Sequence, residues 1–277
     1  AVSSMPISWD QWEPTEGSYD TTLLDGMLET ARRLHVRLIV LWLGSWKNGL
    51  SSYVPAWVKA DVARFPRAET KDGRVEVLSP FSEAARDADA RAFTALMAHL
   101  AENDREQTVI MVQVENEVGL LGDARDRSAL ADEAWATEVP GSVVESLTDG
   151  IPAHEAWVAA GSRTSGTWAE VFGTSPAAEE AFMAAAYASY VEHIAAAGKA
   201  AYDAVPLFVN AWLAVPSMIG EIIDGMIAAK RAAGEDVDEA QFAAVKKQYA
   251  VEGGVQPGSY PSGGPVGRVA PIWRALA

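Results

Sequence analysis

Thr108-Val109-Ile110-Met111-Val112-Gln113-Val114-Glu115-Asn116-Glu117-Val118-Gly119 decides the fold of this chain. Seven residues of nearly unbroken apolar and β-branched character run directly into two acids and an amide. A strand that alternates polar and apolar residues has one wet face. A strand this continuous is buried on both faces, as in a parallel sheet covered by helices. Three further runs read the same way: Ser4 to Trp9, Arg37 to Leu43 and Pro206 to Leu213.

Helical periods separate these runs. Leu24, Met27, Leu28, Ala31 and Leu34 form one apolar stripe, with Thr22 as a candidate N-terminal cap. Phe93, Leu96, Met97 and Leu100 form a second. Met183, Tyr187, Tyr190, Val191 and Ile194 form a third, opened by Ser175-Pro176 and closed, on this reading, by Gly198. Strand and helix alternate in one direction, which argues for parallel strands joined by crossover helices. The expected fold is therefore α/β. Two stretches interrupt the alternation. Gly119 to Gly173 is polar and Gly-rich and reads as a long loop region above the strand ends. Residues 216–251 carry two helical stripes and read as an inserted helical pair.

Composition narrows the chemistry. A net charge of -16 repels phosphate backbones and anionic lipid, so nucleic acid and membrane surfaces are poor partners and a neutral substrate fits better. Cysteine is absent, which excludes disulfides, thiolate catalysis and thiolate-held metal. His35, His99, His154 and His193 are scattered without ligand spacing, and no motif implies a metal or an organic cofactor. Compartment and oligomeric state are left open.

In a parallel barrel the reacting groups sit where strands end at their carboxyl side. A carboxyl held at such a mouth, partly stripped of water, keeps a proton near neutral pH and can protonate a glycosidic oxygen. That makes Glu117 the candidate general acid/base and Asn116 a candidate partner for a sugar hydroxyl. Glu115 reads instead as a residue that contacts polar groups or an arginine within the fold. Tryptophans after strand ends suit the apolar face of a pyranose, so Trp9, Trp46 and Trp212, with Asn48 and Asn210, are candidate substrate-binding residues. A single Trp is more often core than ligand platform.

The motifs together resemble a known family. Trp9 through Glu13-Pro14, followed by Glu16-Gly17-Ser18-Tyr19-Asp20, then Pro55-Ala56-Trp57 and Gln113-Val114-Glu115-Asn116-Glu117-Val118-Gly119, is similar to glycoside hydrolase family 35, in its bacterial β-galactosidase-like branch. Trp46-Lys47-Asn48-Gly49, Gly161 to Trp168 and Tyr260 to Pro265 add to the likeness. The resemblance implies a (β/α)8 TIM barrel, a retaining double displacement on β-galactosides, and Glu117 as acid/base. It also implies a nucleophilic Glu on the seventh strand, so residues 1–277 are expected to form a partial barrel whose nucleophile lies beyond Ala277. Glu221 and Glu252 are the candidates by order within the chain. The sequence departs from the family pattern at Pro6, where a sugar-binding Tyr is expected. An endo-acting glycanase of the same clan and a catalytically silent sugar-binding fragment are the competing expectations.

Overall fold

The computed structural model describes residues 1–49, 51–121, 123–147, 149–210 and 216–234. In chain order the elements are β1 (Val2–Ser8), α1 (Trp9–Trp12), α2 (Thr22–Leu34), β2 (Arg37–Leu43), α3 (Ala56–Ala60), β3 (Arg67–Thr70), β4 (Gly73–Leu78), α4 (Glu83–Asn103) and β5 (Val109–Val114). There follow α5 (Ala129–Trp135), α6 (Gly141–Glu145), α7 (Pro152–Ala159), α8 (Trp168–Phe172), α9 (Pro176–Ala201), β6 (Leu207–Phe208) and α10 (Pro216–Ala232).

The four expected strands form one parallel sheet in the order β1-β2-β5-β6, an arc of a β/α barrel. Val40 on β2 and Val112 on β5 are fully buried, as their continuous apolar runs require. β1 differs. Its residues alternate between exposed and partly buried until Ile7, because among the described residues it pairs only with β2. Trp9, expected as the last strand residue, instead opens α1. The strand expected over Pro206 to Leu213 is confined to Leu207–Phe208, with no strand at Val209 and Asn210, and Ala211 to Val215 lie outside the described residues. Of the expected helical pair, α10 is described and the second helix is not.

The long helices α4 and α9 pack against one another, and here one expectation fails. Gly198 does not end α9, which continues to Ala201. A Cβ at position 198 would lie 2.3 Å from the ring of Phe93, so this glycine lets two helices approach closely. Thr22, expected as the cap of α2, is instead its first helical residue, and Thr21 holds the cap position with no side-chain bond. The Asp20 carboxylate accepts the Thr22 N–H.

Two regions are set by local turn and cap residues. Lys71-Asp72 turns an antiparallel hairpin of β3 and β4, and Gly73 opens β4 at φ 114, a conformation that favours glycine. The stretch from Gly119 to Gly173 is not a continuous loop, because its described residues include the short helices α5, α6, α7 and α8. Ser128 caps α5, Pro152 occupies the first turn of α7, and Thr167 with Glu170 forms a reciprocal capping box on α8. Asp126 ties this region to the hairpin by accepting the Glu69 N–H and the Ser79 hydroxyl, at 2.9 and 2.6 Å. No helix among the described residues is long and apolar enough to cross a membrane.

Candidate active site

The β5 strand ends at Val114, and the chain then turns sharply. Glu115 and Glu117 both adopt the left-handed region, at φ 63 and φ 46. Non-glycine residues seldom occupy it, so surrounding contacts must hold them there. The alternation sends Glu115 into the core, where it is 1% exposed, and leaves Asn116 and Glu117 half-buried at the carboxyl end of the sheet.

Asn116 is fixed from three directions. Its Oδ1 accepts from Gln113 Nε2 at 2.8 Å and from Asn210 Nδ2 at 2.9 Å. Its Nδ2 donates to the Lys47 carbonyl at 2.7 Å. An amide nitrogen has two hydrogens, and this leaves one of them to offer elsewhere. Asn210 reaches across from the end of β6 and its Oδ1 accepts the Glu117 N–H at 2.8 Å. The structure therefore brings Asn116, Glu117 and Asn210 together, three residues that the sequence singled out from strands far apart in the chain.

The tryptophans behave differently. Trp9 is fully buried, its indole N–H donating to Glu13 Oε2 at 2.7 Å and its ring edge-on to Trp57. Trp46 is also fully buried, edge-on to Tyr187 and Tyr190 at 5.1 and 4.7 Å. Neither presents a ring face to a ligand, so both expectations are corrected to core packing. Asn48 spends its carboxamide oxygen on its own turn, accepting from the N–H and hydroxyl of Ser51 at 2.9 and 3.0 Å. Trp212 and Glu252 lie outside the described residues, as does the side chain of Glu221.

Glu115 meets polar groups, as expected, but no arginine. Its Oε1 accepts from Ser45 N at 3.1 Å and its Oε2 from Trp46 N at 2.9 Å. Asp89 of α4 shares the same enclosure. Its Oδ1 accepts the Trp42 indole N–H at 2.9 Å, and its Oδ2 accepts Ser45 N and Oγ at 2.7 and 2.6 Å. Burial pushes both carboxyls up, Glu115 well above the usual carboxylate range, and the neighbouring Asp89 charge pushes it further. Asp89, Gln113, Ser45 and Tyr190 were not read as site residues. Asp89 was findable: it falls one turn before Phe93 on the apolar stripe of its helix, where an acid needs a partner.

Among the described residues no three His, Asp or Glu side chains group to hold a metal ion. A cavity of about 860 Å³ lies between β1 and α2, lined by Met5, Leu23, Met27, Leu34 and Leu38, and does not include Glu117. Reactive groups in barrels follow strand ends rather than cavities behind the sheet, so the Asn116–Glu117 cluster remains the candidate site.

Comparison with known proteins agrees with this architecture. A solved β-galactosidase shares the fold. The enzyme from the psychrophilic Marinomonas ef1 aligns with a TM-score of 0.50 at 14% identity, over 76% of this chain and 33% of that one. The enzyme from Bacillus circulans sp. alkalophilus aligns at 0.49 and 17%, over 76% and 32%. This chain thus spans about a third of the length of these structures. No curated protein matches it. The model of glycoside hydrolase family 42, described as β-galactosidase, matches residues 1–183. The resemblance to family 35 is corrected by this match. An Asn-Glu pair at a strand end answers a demand of glycosidic chemistry, and so short a motif does not separate families that share the demand. With well over half of its residues matched, the chain belongs to glycoside hydrolase family 42, the β-galactosidases.

Proposed function

We propose that the protein hydrolyses terminal β-linked galactosides with retention, and that Glu117 is its general acid/base. The observation that carries this reading is the placement of Glu117. It stands half-buried at the carboxyl end of β5, its backbone N–H held by Asn210, beside an Asn116 amide with one free N–H. In the first step Glu117 donates its proton to the glycosidic oxygen as a carboxylate nucleophile attacks the anomeric carbon. The bond to the leaving alcohol breaks and a glycosyl ester forms. In the second step Glu117 takes a proton from water, which attacks the same carbon and releases the sugar and the nucleophile. Asn116 donates to the sugar hydroxyl adjacent to the reacting carbon.

Retention needs the two carboxyls about 5–5.5 Å apart. Glu115 does not serve as the nucleophile, because both its oxygens accept backbone N–H groups inside the core. The nucleophile is a carboxylate outside the described residues.

Leaving-group dependence tests the assignment. An alkyl β-galactoside needs its oxygen protonated, whereas a dinitrophenyl β-galactoside leaves without help. Glu117→Gln is expected to lose about 10²–10⁴-fold in turnover of the alkyl substrate. It is expected to keep rapid release of dinitrophenol, with azide accelerating turnover to a galactosyl azide of retained configuration. Undiminished hydrolysis of the alkyl galactoside would remove Glu117 from the mechanism.

A further inference from the structure

The residue immediately before the Asn116–Glu117 pair is clamped by a second acid from a distant helix. Asp89 is fully buried and Glu115 nearly so, and the single N–H of Ser45 donates to both of them. A Cβ on Gly44 would lie 2.4 Å from Glu115 Oε1 and 2.6 Å from Asp89 Oδ1, so the two carboxyls face one another across this glycine. From α9, the Tyr190 hydroxyl closes the cluster at 2.8 Å from Ser45 Oγ. Arg86 of α4 acts on Tyr190, and among the described residues no cation pairs with either carboxyl. Among the described residues, the groups that β2 and its loop turn toward the pair are the Trp42 indole, the Ser45 hydroxyl and the backbone N–H groups of Ser45 and Trp46.

Two bare carboxylates sealed together without a cation repel strongly, so such pairs retain one proton between them. The donors settle where it sits. Asp89 receives three N–H or O–H donors and is arranged as the ionised member. Glu115 receives two, and its Oε1 lies beside Asp89 over Gly44.

We infer that Asp89 and Glu115 form a proton-sharing positioning pair for the acid/base, clamping α4 and the loop after β2 to the turn that carries Asn116 and Glu117. The inference rests on the proposed role of Glu117. Glu115 sits in a left-handed conformation that a non-glycine residue does not favour, and its side-chain bonds hold it there. Loss of the shared proton sets two buried charges against each other and frees the turn. Burial raises Glu115 in the folded state, so the sign follows. The stabilising proton is fully bound below the unfolded value of about 4.5 and is lost as pH rises through the folded one.

Glu115→Gln tests this, because a carboxamide still donates to Asp89 and cannot ionise. In the infrared spectrum at neutral pH, the wild type should show a protonated-carboxyl C=O band that Glu115→Gln lacks. Glu180, also sealed in the core, supplies a separate band that the substitution leaves in place. In denaturation, the folded-to-unfolded ratio of wild type should fall relative to Glu115→Gln by up to about tenfold per pH unit above the unfolded value. Asp89→Asn turns an N–H toward the Trp42 donor and should lower kcat on an alkyl β-galactoside at least tenfold, with KM within about twofold. Should Asp89→Asn fail to fold, the Glu115→Gln spectra and pH series decide alone. Identical carboxyl bands, with a stability difference independent of pH, would overturn the pair. An active Glu117→Gln enzyme that still shows the band and the slope would overturn the reading of Glu117 instead.

Discussion

Adding one methyl group at Gly44 should cost more than most core substitutions. Its Cβ would stand 2.4 Å from Glu115 Oε1, 2.4 Å from Trp42 Nε1 and 2.6 Å from Asp89 Oδ1. None of these atoms is the free end of a mobile side chain. Trp42 and Asp89 are bonded to each other at 2.9 Å, and Glu115 is held by two backbone N–H groups. Forcing an extra carbon into a filled core costs about 1–3 kcal/mol. Breaking the indole–carboxylate bond, with both partners still buried, adds about 1–3 kcal/mol. Gly44→Ala should therefore lose about 2–6 kcal/mol, a large share of the roughly 5–15 kcal/mol that a domain holds. The turn bearing Glu117 should shift with Glu115, and a displacement of about 1 Å costs on the order of 100-fold in turnover. Urea denaturation and hydrolysis of an alkyl β-galactoside read the two effects. Gly26→Ala is the control, since nothing lies within 4 Å of that added carbon in α2. It should gain up to about 1 kcal/mol from helix propensity. A Gly44→Ala protein within about 1 kcal/mol of wild type and of undiminished turnover would refute the packing of both carboxyls over this glycine.

Two further outcomes are expected. Gly198→Ala should destabilise by about 1–3 kcal/mol, because its methyl group would displace the Phe93 ring between α4 and α9, and a matching loss of melting temperature checks it. Burial alone would raise the Asp104 carboxyl, but donation from the Val109 and Thr108 N–H groups and from Arg32 outweighs it and holds the group below its usual range. Asp104→Ala should cost about 2–4 kcal/mol at neutral pH by leaving those donors unpaired. That difference from wild type should shrink as pH falls below about 4 and through the lowered folded value. A penalty of equal size at low pH would show that the charge is not its source.

Much of the frame was legible because it follows from local rules. A run such as Arg37 to Leu43 has no polar face, so it must be covered on both sides, and β2 has those bounds in the structure. The stripe from Phe93 to Leu100 could only be a helix with one buried face, and those residues are buried in α4. The caps of α5 and α8 are equally local, but they lie in a polar, Gly-rich stretch whose composition reads as loop.

By itself, then, the sequence determined the parallel α/β order, the helix faces and the acid at the end of β5, since periodicity and strand termini depend only on neighbours along the chain. Tertiary structure alone decided what Trp9 and Trp46 do. An indole carries the same apolar signature whether it meets a sugar or Tyr187, and only packing between distant segments chooses. It also decided that Asp89 and Glu115, 26 positions apart in the chain, meet. The proton affinity of a carboxyl depends on which groups fold around it and how much water they exclude, and that is a property of the assembled core.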